Sequence, residues 1–167
     1  DLATSYDTIA TTYELIGDYA SALVFHFKAF EIRKMVLGEL HPHTALSHNN
    51  IGILYHLMGD YITALDNFLS AVSIQEKVLG AEHPNTAATY NNLAVVYQTI
   101  GDYDKVLEYY QKSLDASIKV YGIYHADTAT IYHNIGYMHY FNCNIEAAKE
   151  NLNKALDIRL KVWGENH

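Results

Sequence analysis

Ten histidines, one cysteine and fifteen tyrosines are the residues of this chain whose types could do chemistry, and their spacing decides which chemistry is open to them. A metal site needs ligands that converge on one point. His41, His83, His125 and His167 instead recur every 42 residues, so they fall on successive joints of a repeating unit, and a structural role is expected of them. His41-Pro42-His43 is at best a weak chelate, with no Cys or carboxylate at ligand spacing. His133 and His139, six residues apart, fall on different faces of a helix. Cys143 has no His or basic residue beside it in sequence to lower its pKa. There is no Gly-rich phosphate loop and no HExxH. The residues therefore argue against an enzyme, and for neither a metal nor a cofactor.

Composition narrows the remaining classes. Half of the 167 residues are apolar and 18% are charged, enough for a sizeable core and too few charges for a disordered chain. No stretch approaches the 18 or so consecutive apolar residues of a membrane span. A formal charge of −8 leaves no basic stripe for phosphates, so nucleic acid is not an expected partner. The lone Cys143 rules out an internal disulfide and favours a reducing, cytoplasmic setting. The first residue is Asp1, so a piece of a longer protein is expected.

The elements that must position any site come from the repeat itself. Gly17-Asp18-Tyr19, Gly59-Asp60-Tyr61 and Gly101-Asp102-Tyr103 are 42 residues apart, and Cys143-Asn144-Ile145 is a degenerate fourth copy. Gly38, Gly80, Gly122 and Gly164 keep the same interval. Within the third unit, Tyr90, Leu93, Ala94, Tyr97 and Ile100 have the spacing of one helical face, here called helix A. Gly101-Asp102 then makes a tight turn, and Asp102 caps a second, antiparallel helix B with the spine Val106, Leu107, Tyr110, Leu114 and Ile118. Gly122 is expected to end helix B as a left-handed cap, and Pro42 and Pro84 to open the next helix A. At the fourth unit Ala126 replaces the proline and Asp127 supplies a negative first turn. Small residues recur where helices must touch: Ala10, Gly52, Ala94 and Gly136 in helix A, and Ala22, Ala64 and Ala148 in helix B. A hairpin of this size cannot bury both faces, so the hairpins must stack.

With aromatic-x-x-Leu-Gly/Ala-x-x-Tyr, Gly-Asp-Tyr and the spaced alanines, the chain resembles the tetratricopeptide repeat. The period of 42, the "NNLA" of helix A and the "VLGxxHPxT" joint are similar to the longer subtype of kinesin light chains. The resemblance implies an all-α, right-handed superhelical solenoid of four repeats, about 1–42, 43–84, 85–126 and 127–167, forming one array. It also implies a binding scaffold whose concave groove is lined by helix A.

Helical spacing then gives the groove residues: Asn49, Asn50, Ile53 and His56; Asn91, Asn92, Val95 and Gln98; His133, Asn134, Tyr137 and Tyr140. Asn50, Asn92 and Asn134 would form a ladder whose amides both donate and accept to a peptide backbone. One Asn of each pair could instead bond to the preceding repeat. His48, if it faces the groove with His56 and His133, would make the site cationic at low pH. All eleven Lys and Arg residues lie outside the helix A segments. Such a groove, with Asp7 and Glu14 at its first repeat, should prefer neutral, apolar-aromatic or mildly basic protein segments. Two alternatives stay open: a ligand-sensing domain controlling an attached effector, and a structural spacer that self-associates end to end through residues such as Leu152, Leu156 and Leu160.

Overall fold

The computed structural model of the chain describes residues 1–164, so His167 lies outside the described residues. Eight α-helices run through them: α1 Leu2–Leu15, α2 Tyr19–Leu37, α3 Pro42–Leu57, α4 Tyr61–Val78, α5 Pro84–Ile100, α6 Tyr103–Tyr121, α7 Ala126–Phe141 and α8 Ile145–Trp163. No strand occurs among the described residues, and none of their helices is long and apolar enough to cross a membrane. The expected all-α helical repeat is the observed fold. Two units divide it, the first spanning Asp1–Gly80 with α1 to α4, the second beginning at Ala81 with α5 to α8. In the first, α1 packs on α2, α2 on α3 and α3 on α4; the second repeats this order with α5 to α8.

Each hairpin turn is set by two residues. Gly101 is left-handed, at φ 84° and ψ 17°, and Asp102 follows as the N-cap, its carboxylate accepting from the Lys105 N–H at 3.2 Å. Asp18, Asp60 and Asn144 cap α2, α4 and α8 in the same way. Such a cap contributes about 1 kcal/mol. Cys143 takes the turn glycine's place at φ 57° and is the one described non-glycine residue with positive φ.

The joints between hairpins use a different device. Nδ1 of His41, His83 and His125 accepts the backbone N–H two residues on, at 3.1, 3.1 and 3.2 Å, so each histidine is the N-cap of the helix it precedes. Pro42 and Pro84 sit in the first helical turn as expected. The threonine of the joint closes it: Thr44 donates to the Gly38 carbonyl at 2.8 Å and Thr128 to that of Gly122 at 3.1 Å. Gly122 itself departs from expectation. Its φ of 82° is joined to a ψ of 171°, so it is extended and not a left-handed cap. That region is open essentially to glycine alone.

The small residues are where the helices meet. Ala10, Ala22, Ala29, Ala64, Ala71 and Ala94 have no exposed surface. A Cβ on Gly52 would lie 2.9 Å from the Phe68 ring, and one on Gly136 would lie 2.8 Å from Leu152. Ile100, expected on the buried stripe, is exposed as the last residue of α5.

Candidate functional site

None of the twelve expected groove residues is in the core, although buried residues interleave with them on every A helix. On α3, Asn49, Asn50, Ile53 and His56 are half-buried, around the buried Ile51, Gly52 and Leu54. On α5, Asn91, Asn92, Val95 and Gln98 are half-buried around Leu93, Ala94 and Val96. On α7, Asn134 is half-buried while His133, Tyr137 and Tyr140 are exposed, Tyr140 by 60%. Phe141 completes an aromatic edge there, its ring 4.8 Å from Tyr137 and 6.2 Å from Tyr140. Asn49 and Asn92 are each engaged in an interaction within the protein.

His48 does not belong to this face. It holds the register position of Tyr6, Tyr90 and Tyr132, its ring 4.8 Å from Phe30 and its Nδ1 3.0 Å from Asn67 Oδ1. It is a packing residue, because a position that is aromatic in each copy is a core position. His56 is half-buried, its ring 5.5 Å from that of Tyr61, and burial pushes its imidazole pKa down.

The first unit holds a polar cluster that the sequence pattern did not single out. His26 on α2 is 1% exposed, with Nδ1 2.8 Å from Asp7 Oδ1 and Nε2 2.7 Å from Glu14 Oε1, both on α1. Ionised carboxylates only accept hydrogen bonds, so both ring nitrogens donate and the ring is imidazolium. Burial acts to lower its pKa, but the hydrogen bonds to Asp7 and Glu14 outweigh it and the pKa is raised. Arg33 on α2 continues the cluster: Nη2 is 2.5 Å from Asp7 Oδ2, and Nη1 donates to Ser47 Oγ on α3 at 2.8 Å. Burial acts to raise the Asp7 pKa, and the bonds from His26 and Arg33 bring it below the ordinary value. The carboxylates expected as negative charge at the first A helix are thus balanced by two cations from α2. Beside them Asn50, Ile53, Thr11 and Glu14 border a small cavity of 90 Å³ with His26 at its wall.

The second unit is built differently at the same register. Tyr110 takes the place of His26, its hydroxyl 3.4 Å from Gln98 Oε1, and burial pushes its pKa up to about 12. Ser117 takes the place of Arg33. A cavity of 290 Å³ opens there, bordered by Ala87, Asn91, Ser113, Ser117, Asp127 and Ile131 among others. No group of three or more His, Cys, Asp or Glu residues suited to a metal occurs among the described residues. The only trace of either feature in the sequence is a break in a 42-residue column: His26 against Phe68, Tyr110 and Leu152 in one, and Ser117 against Arg33, Gln75 and Arg159 in the other.

The tetratricopeptide repeat family model matches residues 1–77, 44–119 and 101–161. No curated protein matches the chain in sequence. Among solved structures, BtubC (BKLC) from P. vanneervenii superposes on 99% of the chain with a TM-score of 0.89 at 21% identity. The chain spans 66% of the length of that protein. Kinesin light chain-type, nearly identical TPR-like repeats from Podosopora anserina superpose on 98% of it with a TM-score of 0.86 at 23% identity, over 78% of their own length. MamA follows with a TM-score of 0.69 at 20% identity, over 95% of this chain and 79% of its own. At these identities the likeness is one of fold.

Proposed function

We propose that the chain, which belongs to the tetratricopeptide repeat family, is a scaffold of four repeats whose A helices take a protein segment. The family's members are in general protein-interaction scaffolds. What carries the finer reading is the character of the A-helix faces: asparagines, tyrosines and histidines left partly open between fully buried neighbours. No Lys or Arg stands on α1, α3, α5 or α7. Asp7 and Glu14 are already balanced by His26 and Arg33. A face without net cationic charge has nothing to draw in an acidic segment. Amides that both donate and accept favour an extended backbone, and the Tyr137, Tyr140 and Phe141 edge favours an apolar or aromatic side chain. The partner is therefore a neutral, aromatic-apolar or mildly basic segment, met in the cytoplasm.

Selection of peptides from a random display library on the purified chain tests this. Neutral or basic sequences with aromatic residues should be enriched, and Tyr140→Ala should release them. Enrichment of acidic sequences, or of peptides indifferent to every A-helix substitution, would overturn the reading. A second reading, self-association, is favoured by Leu156, Leu160 and Trp163, which are exposed on α8 around a hollow of 440 Å³. Light scattering over a concentration series, with Leu160→Glu as control, separates it from a monomeric scaffold.

A further inference from the structure

The 290 Å³ cavity of the second unit occupies the place that the Arg33 side chain fills in the first. Three residues fix the correspondence. Arg33 reaches Asp7 on α1 and Ser47 on α3, and two periods later those positions are Ser117, Asn91 and Ile131. All three border the cavity. A side chain with a five-donor head has been replaced by a hydroxymethyl, and the helices around it have not closed the gap.

What lines the gap is a set of acceptors. Thr128 spends its one hydroxyl proton on the Gly122 carbonyl, so Ser117, 2.9 Å from the Thr128 oxygen, must be the donor of that pair. Its own lone pairs are then uncommitted. Ser113 likewise donates to the Ala87 carbonyl at 3.0 Å and keeps its lone pairs. Asp127 adds a carboxylate at the rim. Its neighbour His125 accepts the Asp127 N–H at Nδ1, which lies 3.6 Å from the Asp127 carboxylate. An acceptor-rich, partly apolar cavity at the lower end of the ~300–1,000 Å³ range of ligand sites has room for one side chain.

We infer that this cavity is a pocket for a single guanidinium-bearing side chain of a bound partner, which supplies from outside the arginine that the first unit carries within. The inference rests on the reading of the A-helix face as a binding surface, since Asn91 belongs to both. It narrows "mildly basic" to arginine: a planar head with five donors can meet Ser113, Ser117, Asn91 and Asp127 together, and a lysine ammonium has three donors at one point.

Nitrogen–proton correlation spectra of the full chain titrated with N-acetyl-arginine amide test it. Saturable shifts should appear at the amides of Asn91, Ser117 and Ile131, with a dissociation constant on the order of 1 mM for so small a ligand. N-acetyl-glutamate amide should produce none. Ser117→Arg, which refills the gap from within, should weaken the arginine probe at least about tenfold while the spectrum stays dispersed. If that variant does not fold, Ser117→Gln, the residue that Gln75 provides at this register, takes its place under the same criterion. Absence of saturable shifts, equal shifts with the glutamate probe, or unchanged affinity in the refilled variant would each overturn the pocket. Failure of the broader reading looks different: peptides selected on the chain would then ignore Tyr140→Ala, whatever the arginine probe does.

Discussion

Arg33 and Ser117 stand at one register position of the same fold, and the interiors around them differ in kind. In the first unit the position is filled by a charge, and charge has recruited charge: Asp7 faces Arg33, and His26 with Glu14 completes a balanced set of four. In the second unit all four partners have changed together, to Asn91, Ser117, Tyr110 and Gln98. The replacement set is neutral, needs no compensation, and leaves a cavity. Between them Gln75 is an intermediate, buried like Arg33 but with its Oε1 lacking a hydrogen-bond partner. The backbone of a helical repeat thus tolerates an ion cluster, an unsatisfied amide or a void at one site. What differs is whether the position is filled from within or left as a cavity.

The hardest way to break this comparison is to impose the second unit's residue on the first. Arg33→Ser leaves Asp7 and its neighbours short of a cation in a nearly buried place, and removing one partner of such a pair costs about 3–5 kcal/mol. Adding Asp7→Asn should restore much of that loss, since the uncompensated carboxylate goes with it. Urea unfolding of both variants measures the difference. A loss below about 1 kcal/mol for Arg33→Ser would assign the bridge to the class of screened surface pairs and remove the contrast.

The pH dependence sharpens it. His26 has a raised pKa in the folded state, so the stability it contributes is full below its unfolded pKa of about 6.5 and is lost as pH rises through the folded value. Asp7 has a lowered one, so its contribution is present above about pH 3.9 and is lost as pH falls through the folded value. The first unit should therefore be most stable between about pH 4 and 6.5 and weaken on the alkaline side. His26→Phe with Ala10→Gly, the pairing that Phe68 and Gly52 make one period on, should abolish the alkaline loss. Denaturation midpoints across pH, followed at amides of α1 and α2, report it; an alkaline profile unchanged by the double substitution would remove His26 from the account.

The two kinds of glycine give a smaller effect of opposite signs. Gly122→Ala places a side chain in the extended, positive-φ region and should cost about 1–3 kcal/mol. Cys143→Gly relieves a left-handed residue of its side chain and should add about 1 kcal/mol. Thermal melts of the two proteins decide it, and a gain from Gly122→Ala would contradict the backbone described for that joint.

How much of this was legible in the sequence follows from the same contrast. Turns, joints and small contact residues are local devices repeated at a fixed interval, so the period exposed them, and the helices begin where Asp18, Pro42 and Pro84 indicate. The conformation of Gly122 was not legible from that residue alone, because positive φ with either ψ favours glycine. The column itself carried a clue: Cys143 replaces a turn glycine, whereas all four joints keep glycine. The His26 cluster was hidden for another reason. Its members lie on different helices, and His26 occupies a column that is otherwise Phe68, Tyr110 and Leu152, so the repeat pattern marks it as apolar. A cavity is harder still to see, since Ser117 announces only a missing volume.

The smallest effect bears on the open face itself. Asn134 is half-buried on α7 beside Tyr137, in the register of Asn50 and Asn92. If its amide serves a ligand, Asn134→Ala should leave the melting temperature nearly unchanged and weaken a bound peptide by about 0.5–1.5 kcal/mol per hydrogen bond removed. Asn92 is already engaged within the protein, so Asn92→Ala should lower the melting temperature as well as the affinity. The two substitutions together ask whether one register position can serve the solenoid in one repeat and a ligand in the next, as Arg33 and Ser117 do on the B helices. Calorimetric titration of a selected peptide alongside the melts separates the cases. A large fall in melting temperature for Asn134→Ala with unchanged peptide affinity would make the asparagine column structural throughout, and would shift the ligand face toward Tyr137, Tyr140 and the cavity at Ser117.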